Sequence, residues 1–313
     1  MHKQQAPPIQ CMGGLFMRQK LKQFGCYLII IVLLPYVVTV FINGPSMVSS
    51  SHVDQMYIKV KAEGEDGEDK TIELPIEDYC IGIMAREIPP DYEKEALKAQ
   101  AVLVRTDIFR KIEEEGSSAV LKDEFWTQKQ MEETWGVTRY SRYFSRLRNA
   151  WRDTEGQVLM YEGKLARTPF FRLSNGSTRD GKEVLGEKYP YLKIIECPWD
   201  IEEEEQIQTV TFEDMDAEVL ECDTAGYVLR VRVGKEEVSG EEFRANYHLA
   251  SSCFTLQKYN GKLRITTRGV GHGLGMSQNT ADRMAKKGRS YQEILEYFFE
   301  NAEVKEAADI VTF

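Results

Sequence analysis

The sequence predicts an α+β body, a helical core followed by a β-rich lobe, preceded by one N-terminal transmembrane helix. Three observations predict it. Phe24 to Ile42 runs for 19 residues without a charge. Residues 97 to 112 repeat apolar side chains at helical spacing. Between residues 157 and 267, short alternating runs are separated by turn residues.

The uncharged run comes first. As a helix rising about 1.5 Å per residue it spans roughly 28 Å, the thickness of a bilayer's hydrocarbon core. Pro35 is tolerated inside such a helix. Lys3, Arg18, Lys20 and Lys22 all lie on its N-terminal side. That bias keeps the N-terminus in the cytoplasm and sends the rest across the membrane. A cleaved signal peptide would have a shorter apolar run and an A-x-A site after it, and Asn43-Gly-Pro-Ser is a poor substitute. The expected organisation is a cytoplasmic tail (1–23), an anchor (24–42), a linker (43–52), a folded domain (53–301) and a C-terminal tail (302–313).

The exported part is acidic. Beyond residue 43 stand 36 bases against 50 acids. Nucleic acid is therefore excluded as the main ligand, because phosphate binding needs a basic face. Four cysteines lie in this part, Cys80, Cys197, Cys222 and Cys253. Their wide spacing fits either two disulfides or buried free thiols. Neither H-E-x-x-H nor C-x₂-C occurs, so no metal site is expected.

Within the body, Met56–Lys61 alternates as a strand, and Lys70–Leu74 reads as its return after a turn at Gly64-Glu-Asp-Gly. Residues 77–86 form a short apolar helix that Pro89-Pro90 ends. A longer helix covers about Asp91 to Glu114. Leu97, Ala101, Val104, Ile108 and Ile112 fall on one face of it. Ala96, Ala99, Val102 and Leu103 extend apolar character around it, so residues 96–104 are expected to be buried. Gln100 and Arg105 sit in or beside that part, and a buried polar group needs a partner or a cleft. A helix around Ser141–Trp151 and a hairpin at 157–165 follow. Strands at 170–173, 227–233 and 263–267 and a helix over 241–249 lead to a glycine-rich loop, Arg268-Gly-Val-Gly-His-Gly-Leu-Gly-Met-Ser-Gln. That loop enters a helix near Ser277, which Gly288 stops. Ser290-Tyr-Gln-Glu293 is a capping box for a last helix through Phe299.

Candidate chemistry sits in two places. Glu87 follows an apolar stretch, and two prolines fix the chain after it. A carboxyl beside apolar groups has a raised pKa and serves as a general acid near neutral pH. A glycosidase with paired carboxylates needs a second acid, and spacing cannot place Asp78 or Glu95 opposite it. The glycine loop lacks the spacing of a dinucleotide fingerprint and the Lys-Ser/Thr of a P-loop. It brings a backbone close to a ligand, with His272 and Ser277 at a helix N-terminus, or it is a tight turn around a core histidine. Ser277 and His272 stand close in sequence, but no G-x-S-x-G elbow is present.

Three stretches, ELPIEDYCIGIMAREIPPDYEKEALKAQAVLVRT (73–106), YPYLKIIECPWD (189–200) and RGVGHGLGMSQNTADRMAKKGRSYQEILEYFF (268–299), resemble the stage II sporulation protein D family in order and distance. The resemblance covers most of residues 53–300. It implies a lytic transglycosylase of bacterial peptidoglycan with a helical catalytic core. Such an enzyme cuts the MurNAc–GlcNAc bond and leaves a 1,6-anhydro-MurNAc end. One Glu suffices, and the A-x-E-hydrophobic-P motif carries that catalytic role to Glu87. By the same resemblance, Gln100 and Arg105 (from K-A-Q-A…R-T) and His272, Ser277 and Gln278 (from G-H-G-x-G-M-S-Q) are substrate-binding, and so is Ser174, although its turn Leu173-Ser-Asn-Gly-Ser departs from the Ser-Ser-x-Gly-rich turn that members often have there. Some members hold zinc in a C-x-x-H-x-x-x-C cluster after the long helix. Residues 112–156 contain no Cys and no His, so no zinc and no cofactor are expected here. The implied setting is the engulfing membrane of a sporulating cell, with the protein single-pass in the cell membrane. The implied partners are glycan strands stripped of peptides, a wall amidase (stage II sporulation protein P) and a multispanning protein (stage II sporulation protein M). The family also includes amidase enhancers, so a non-catalytic enhancer or wall-binding scaffold is the alternative.

Overall fold

The N-terminal half is built on two helices that bury residues on more than one side. The computed structural model describes residues 56–63, 69–116, 119–213 and 215–307. The tail, anchor and linker readings over residues 1–52, and the turn at 64–67, lie outside the described residues. Among the described residues no helix is long and apolar enough to cross a membrane.

Strands β1 (Tyr57–Glu63) and β2 (Asp69–Pro75) pair antiparallel as their alternation predicts, and β3 (Val120–Leu121) joins β1 in parallel. Helix α1 (Ile76–Glu87) follows without a break and buries eight of its residues. Helix α2 (Lys94–Glu115) is the centre of the molecule. Leu97, Ala101, Val104, Ile108 and Ile112 enter one core cluster with α1, and Ala96, Ala99, Val102 and Leu103 enter a second. Each fully buried Leu, Ile or Val contributes roughly 1.5–3 kcal/mol, so this helix ties both clusters together. It starts at Lys94 rather than Asp91, because the chain from Pro89 to Tyr92 is drawn into a loop against the next helices.

Helices α3 (Gln128–Trp135) and α4 (Val137–Asp153) cover the first cluster. Strand β4 (Gln157–Tyr161) has Val158, Leu159 and Met160 all buried, so both of its faces are covered. It pairs with β5 (Lys164–Leu165) on one edge and with β14 (Glu303–Glu306) on the other. The segment read as a C-terminal tail therefore contributes a strand, and Ala307 beyond it is buried. Strand β6 (Phe170–Phe171) pairs in parallel with β13 (Met276–Ser277).

A short helix α5 (Gly181–Leu185) precedes the β lobe. That lobe is confined to about 207–268, narrower than the expected 157–267, because β4, with β5 on its edge, pairs with β14, and β6 pairs with β13. It holds two three-stranded antiparallel sheets. One is β8 (Ala217–Cys222), β9 (Val228–Val233) and β10 (Glu236–Ser239). The other is β7 (Ile207–Glu213), β12 (Lys262–Arg268) and β11 (Phe254–Tyr259). Helix α6 (Gly240–Asn246) sends Phe243 into a third core cluster with Val231, Phe254 and Ile265. Helices α7 (Gln278–Lys286) and α8 (Tyr291–Phe298) pack on α2, and the capping box at Ser290 and Glu293 forms as read. The molecule is a mixed α+β protein in which the two motif-bearing ends of the chain meet on α2.

Candidate active site

Glu87 is the last residue of α1. The helix closes there because Pro89 disfavours helical geometry before it, and the Ile88 N–H bonds the Met84 carbonyl at 3.0 Å. Ala85 and Ile88 on either side are buried, while the Glu87 side chain keeps 42% exposure. Burial raises its pKa above the ordinary carboxylate value, and Arg86, with Nε at 3.4 Å, opposes that shift without cancelling it. The negative end of the helix dipole acts in the same direction as burial. Arg86 also pairs with Glu124, which lies on the loop after β3. Asp78 is no partner acid: nine residues earlier on the same helix, it stands about 13 Å away along the axis. Glu95 accepts the Tyr291 N–H at 3.0 Å and pairs with Lys98, which commits it to the start of α8.

The loop after Glu87 is clasped from three elements. Arg146 of α4 donates to the carbonyls of Pro90 (2.8 Å) and Tyr92 (2.5 Å). Asp282 of α7 accepts the Glu93 N–H at 2.7 Å. Arg172, just after β6, donates to the Tyr92 hydroxyl and lies over its ring. The Arg172 carbonyl in turn accepts the Asn279 N–H at 3.3 Å. Through Tyr92 and Glu93 the Glu87 loop is joined to the glycine-loop region.

That region is organised around a buried carboxylate that sequence reasoning did not single out. Asp200 accepts from the Ser277 hydroxyl (2.7 Å), the Thr280 hydroxyl (2.8 Å), the Asn279 amide (3.1 Å) and the Ser174 backbone N–H (2.7 Å). Its charge lies at the N-terminus of α7, where the helix dipole favours an anion. Ser277 also caps that helix by accepting the Thr280 N–H at 3.2 Å. The Ser174 hydroxyl accepts the Gly176 N–H at 3.1 Å. Gln278 donates to Gln100 at 3.2 Å, leaving Gln100 Nε2 and Gln278 Oε1 without a protein partner. Asp200 is the last residue of the stretch 189–200, whose resemblance to the family is the only sequence feature near it.

His272 lies on the other side of the loop. Its Nδ1 accepts the Leu274 N–H at 3.1 Å, which fixes the neutral tautomer. Burial pushes its pKa down to about 4, with Glu241 opposing. Beneath it, Arg179 is buried and donates to Asp223 (2.5 Å), Glu241 (3.0 Å) and the His272 carbonyl (3.1 Å). The loop glycines allow this contact. Gly275 has φ +76°, and a Cβ there would stand 2.0 Å from the Pro169 carbonyl; Gly273 has φ +78°, and its Cβ would meet the Tyr227 ring at 2.4 Å. The close approach is to the protein's own chain.

The structure thus brings Ser174, Ser277, Gln278 and Gln100 to one place and keeps Ser277 and His272 on separate partners. Arg105 joins neither group. It is fully buried, stacks 3.7 Å from the Trp151 ring, and donates to the carbonyls of Trp151 (2.8 Å), Thr154 (2.7 Å) and Gln157 (3.2 Å). Trp151 and Thr154 stand at the end of α4, where a cation satisfies free carbonyls, and Gln157 opens β4, so the guanidinium joins these two elements inside the protein. The four body cysteines are free thiols. Among the described residues no group of three or more His, Cys, Asp or Glu stands together as a metal site. A cavity of about 760 Å³ opens between β8 and β11, but its charges are paired with one another, Asp216 with Lys258 and Glu218 with Arg232.

These features define an α+β protein with one partly exposed carboxyl at a helix end, clasped to a glycine loop that a buried aspartate organises. Comparison with known proteins gives the family of the chain. The SpoIID family model, described as a stage II sporulation protein, matches residues 48–161. Stage II sporulation protein D of Bacillus amyloliquefaciens is 30% identical over 259 residues, covering 75% of each chain. The protein of the same name from Bacillus subtilis (strain 168) is 29% identical over 259 residues, again 75% of each. An uncharacterized protein of Brachyspira hyodysenteriae is 26% identical over 257 residues, 74% of this chain and 67% of that one. The chain belongs to the stage II sporulation protein D family.

Proposed function

We propose that this sporulation protein is a membrane-anchored lytic transglycosylase that cuts MurNAc–GlcNAc bonds of peptide-stripped peptidoglycan during engulfment. The observation that carries the reading is Glu87, a partly exposed carboxyl at a helix end whose burial among apolar neighbours raises its pKa above the ordinary carboxylate value. Protonated Glu87 gives its proton to the glycosidic oxygen as the C1–O4 bond breaks. The C6 hydroxyl oxygen of the same muramyl residue then bonds C1, and its proton returns to the Glu87 carboxylate. The 1,6-anhydro ring closes, Glu87 is restored, and neither water nor a second carboxylate enters.

Ser174, Ser277 and Gln278 serve this site by holding the glycine loop and the start of α7 in shape, since their hydrogen bonds run largely within the protein. His272 acts in the same way, while Gln100 Nε2 and Gln278 Oε1, which have no protein partner among the described residues, are the groups left to bind a sugar. The anchor at Phe24–Ile42 places the body on the outer side of the membrane. There the wall amidase, stage II sporulation protein P, would strip stem peptides first, and stage II sporulation protein M would hold the assembly in the membrane.

The test uses the full chain in detergent, as wild type and as Glu87→Gln. Each is incubated with peptide-bearing and denuded glycan strands, and products are read by mass spectrometry. Anhydro-MurNAc ends from the wild type alone support the mechanism. Reducing ends would mean hydrolysis, and activity in the variant would sink the role of Glu87. No product from either strand type favours the enhancer or scaffold reading.

A further inference from the structure

Gly82 stands in the middle of α1, a position where glycine costs a helix about 1 kcal/mol relative to alanine. The structure shows its use. The Trp126 N–H donates to the Gly82 carbonyl at 3.0 Å, and a Cβ on Gly82 would meet the Trp126 carbonyl at 2.7 Å and the Phe125 ring at 3.0 Å. The loop between β3 and α3 is thereby laid directly on α1. It is fastened on both sides of Glu124. Before it, Asp123 accepts from the Tyr79 hydroxyl at 3.3 Å and pairs with Lys111. After it, Phe125 packs edge-on against Tyr79 with ring centroids 5.0 Å apart. Glu124 itself is exposed, and its carboxylate engages Arg86, the same guanidinium that stands 3.4 Å from Glu87. An exposed ion pair contributes little to stability, so a loop anchored this thoroughly calls for another reason to aim Glu124 there.

We infer that Glu124 is a positioning residue of the Glu87 site: it engages the Arg86 guanidinium and so leaves Glu87 able to keep its proton. This rests on the reading of Glu87 as a general acid. Arg86 has five donors in a fixed fork and shares them between the two carboxylates, with Nη2 on Glu124 and Nε towards Glu87. While Glu124 holds it, Arg86 gives Glu87 one long contact instead of a bidentate pair. Glu124 also adds its own negative charge beside Glu87, which works in the same direction. Arg86 on the same helix and Glu124 on the facing loop are the charges that act on Glu87.

The sign of each substitution follows. In Glu124→Gln, Arg86 is released to Glu87 and a negative charge is lost, so Glu87 gives up its proton at lower pH. In Arg86→Gln the opposing cation is gone, and Glu87 keeps its proton to higher pH. A general acid is active below its pKa, so the upper limb of the rate profile moves down in the first variant and up in the second. Each pH unit of displacement is a tenfold change in rate above the limb.

The experiment titrates the Glu87 carboxyl by ¹³C NMR in the full chain, assigned by its loss in Glu87→Gln, and records the pH profile of strand cleavage beside it. Glu124 is exposed, so Glu124→Gln is expected to fold, and Glu124→Asp should restore part of the shift. A downward shift in Glu124→Gln with an upward shift in Arg86→Gln supports the inference. An unmoved or upward-moving Glu87 titration in Glu124→Gln overturns it. The NMR reading separates the two proposals: shifts of the expected sign in a chain that cuts no glycan would leave the positioning intact and refute the transglycosylase.

Discussion

The end of α1 and the start of α7 both carry motif residues, yet the structure treats them in opposite ways. At α1, Glu87 is half-exposed and makes one long contact with Arg86. At α7, Ser277, Asn279 and Thr280 are buried, and their side chains bond a single carboxylate, Asp200. The first is a partly exposed carboxyl held by its neighbours' packing. The second is a saturated polar network that sets a backbone in place. A residue type suited to chemistry becomes architecture once its hydrogen bonds are all made inside the protein.

The comparison breaks most readily at Glu87. Glu87→Gln should lower cleavage by roughly 10²–10⁴-fold, the span of general acid–base catalysis, while the melting temperature stays unchanged. A large loss of stability in that variant would erase the distinction between the two ends. Arg105→Ala should do the reverse. It strands carbonyls at the end of α4 and unstacks Trp151, costing about 3–5 kcal/mol, as when a buried charge network is broken. Arg105→Lys should not restore it, because an ammonium lacks the planar fork. Denaturant titration reads both, and a stable Arg105→Ala would argue that the residue is free to serve a substrate. Asp200→Ala leaves several buried donors unsatisfied and should cost about 2–4 kcal/mol. Activity would then fall in step with the folded fraction.

A smaller effect comes from His272. Its folded pKa is depressed from the ordinary 6.5 to about 4. The unfolded chain therefore binds the extra proton across that window. Stability is present above pH 6.5 and is lost as pH falls towards about 4. The full shift corresponds to about 3 kcal/mol at most, and the half-buried position reduces it. Unfolding measured between pH 7 and pH 4 should lose part of its pH dependence in His272→Asn. An identical slope in the variant would place the titration elsewhere.

Parts of the fold were legible in the sequence, and the candidate acid was legible only with help. An apolar helix and two prolines mark where Glu87 stands, but one acid among 50 is not singled out by that position, and the A-x-E-hydrophobic-P motif of the family resemblance is what pointed to it. The central helix was readable because Leu97, Ala101, Val104, Ile108 and Ile112 keep helical spacing, and all five are in the core. The capping box at Ser290 formed because its two partners lie three residues apart. Arg105 was readable as buried, but its purpose was not. Its acceptors lie 46 to 52 residues away, and no local pattern says which carbonyls a guanidinium will find. Asp200 and Glu124 were missed for the same reason, since an acid among 50 acquires a role only from what folds against it.

The strand near the C-terminus shows that division most simply. Residues 303–306 alternate too briefly to declare themselves, and β4 needed a second neighbour to cover its backbone edge. Local spacing and chain breaks determined which segments become helices, where α1 stops and which acid stands at its end, because those depend on bonds between near neighbours. Tertiary structure decided which polar groups were consumed by the protein and which were left facing outward. Hydrogen-bond partners tens of residues apart meet only after apolar burial has brought the helices and sheets together.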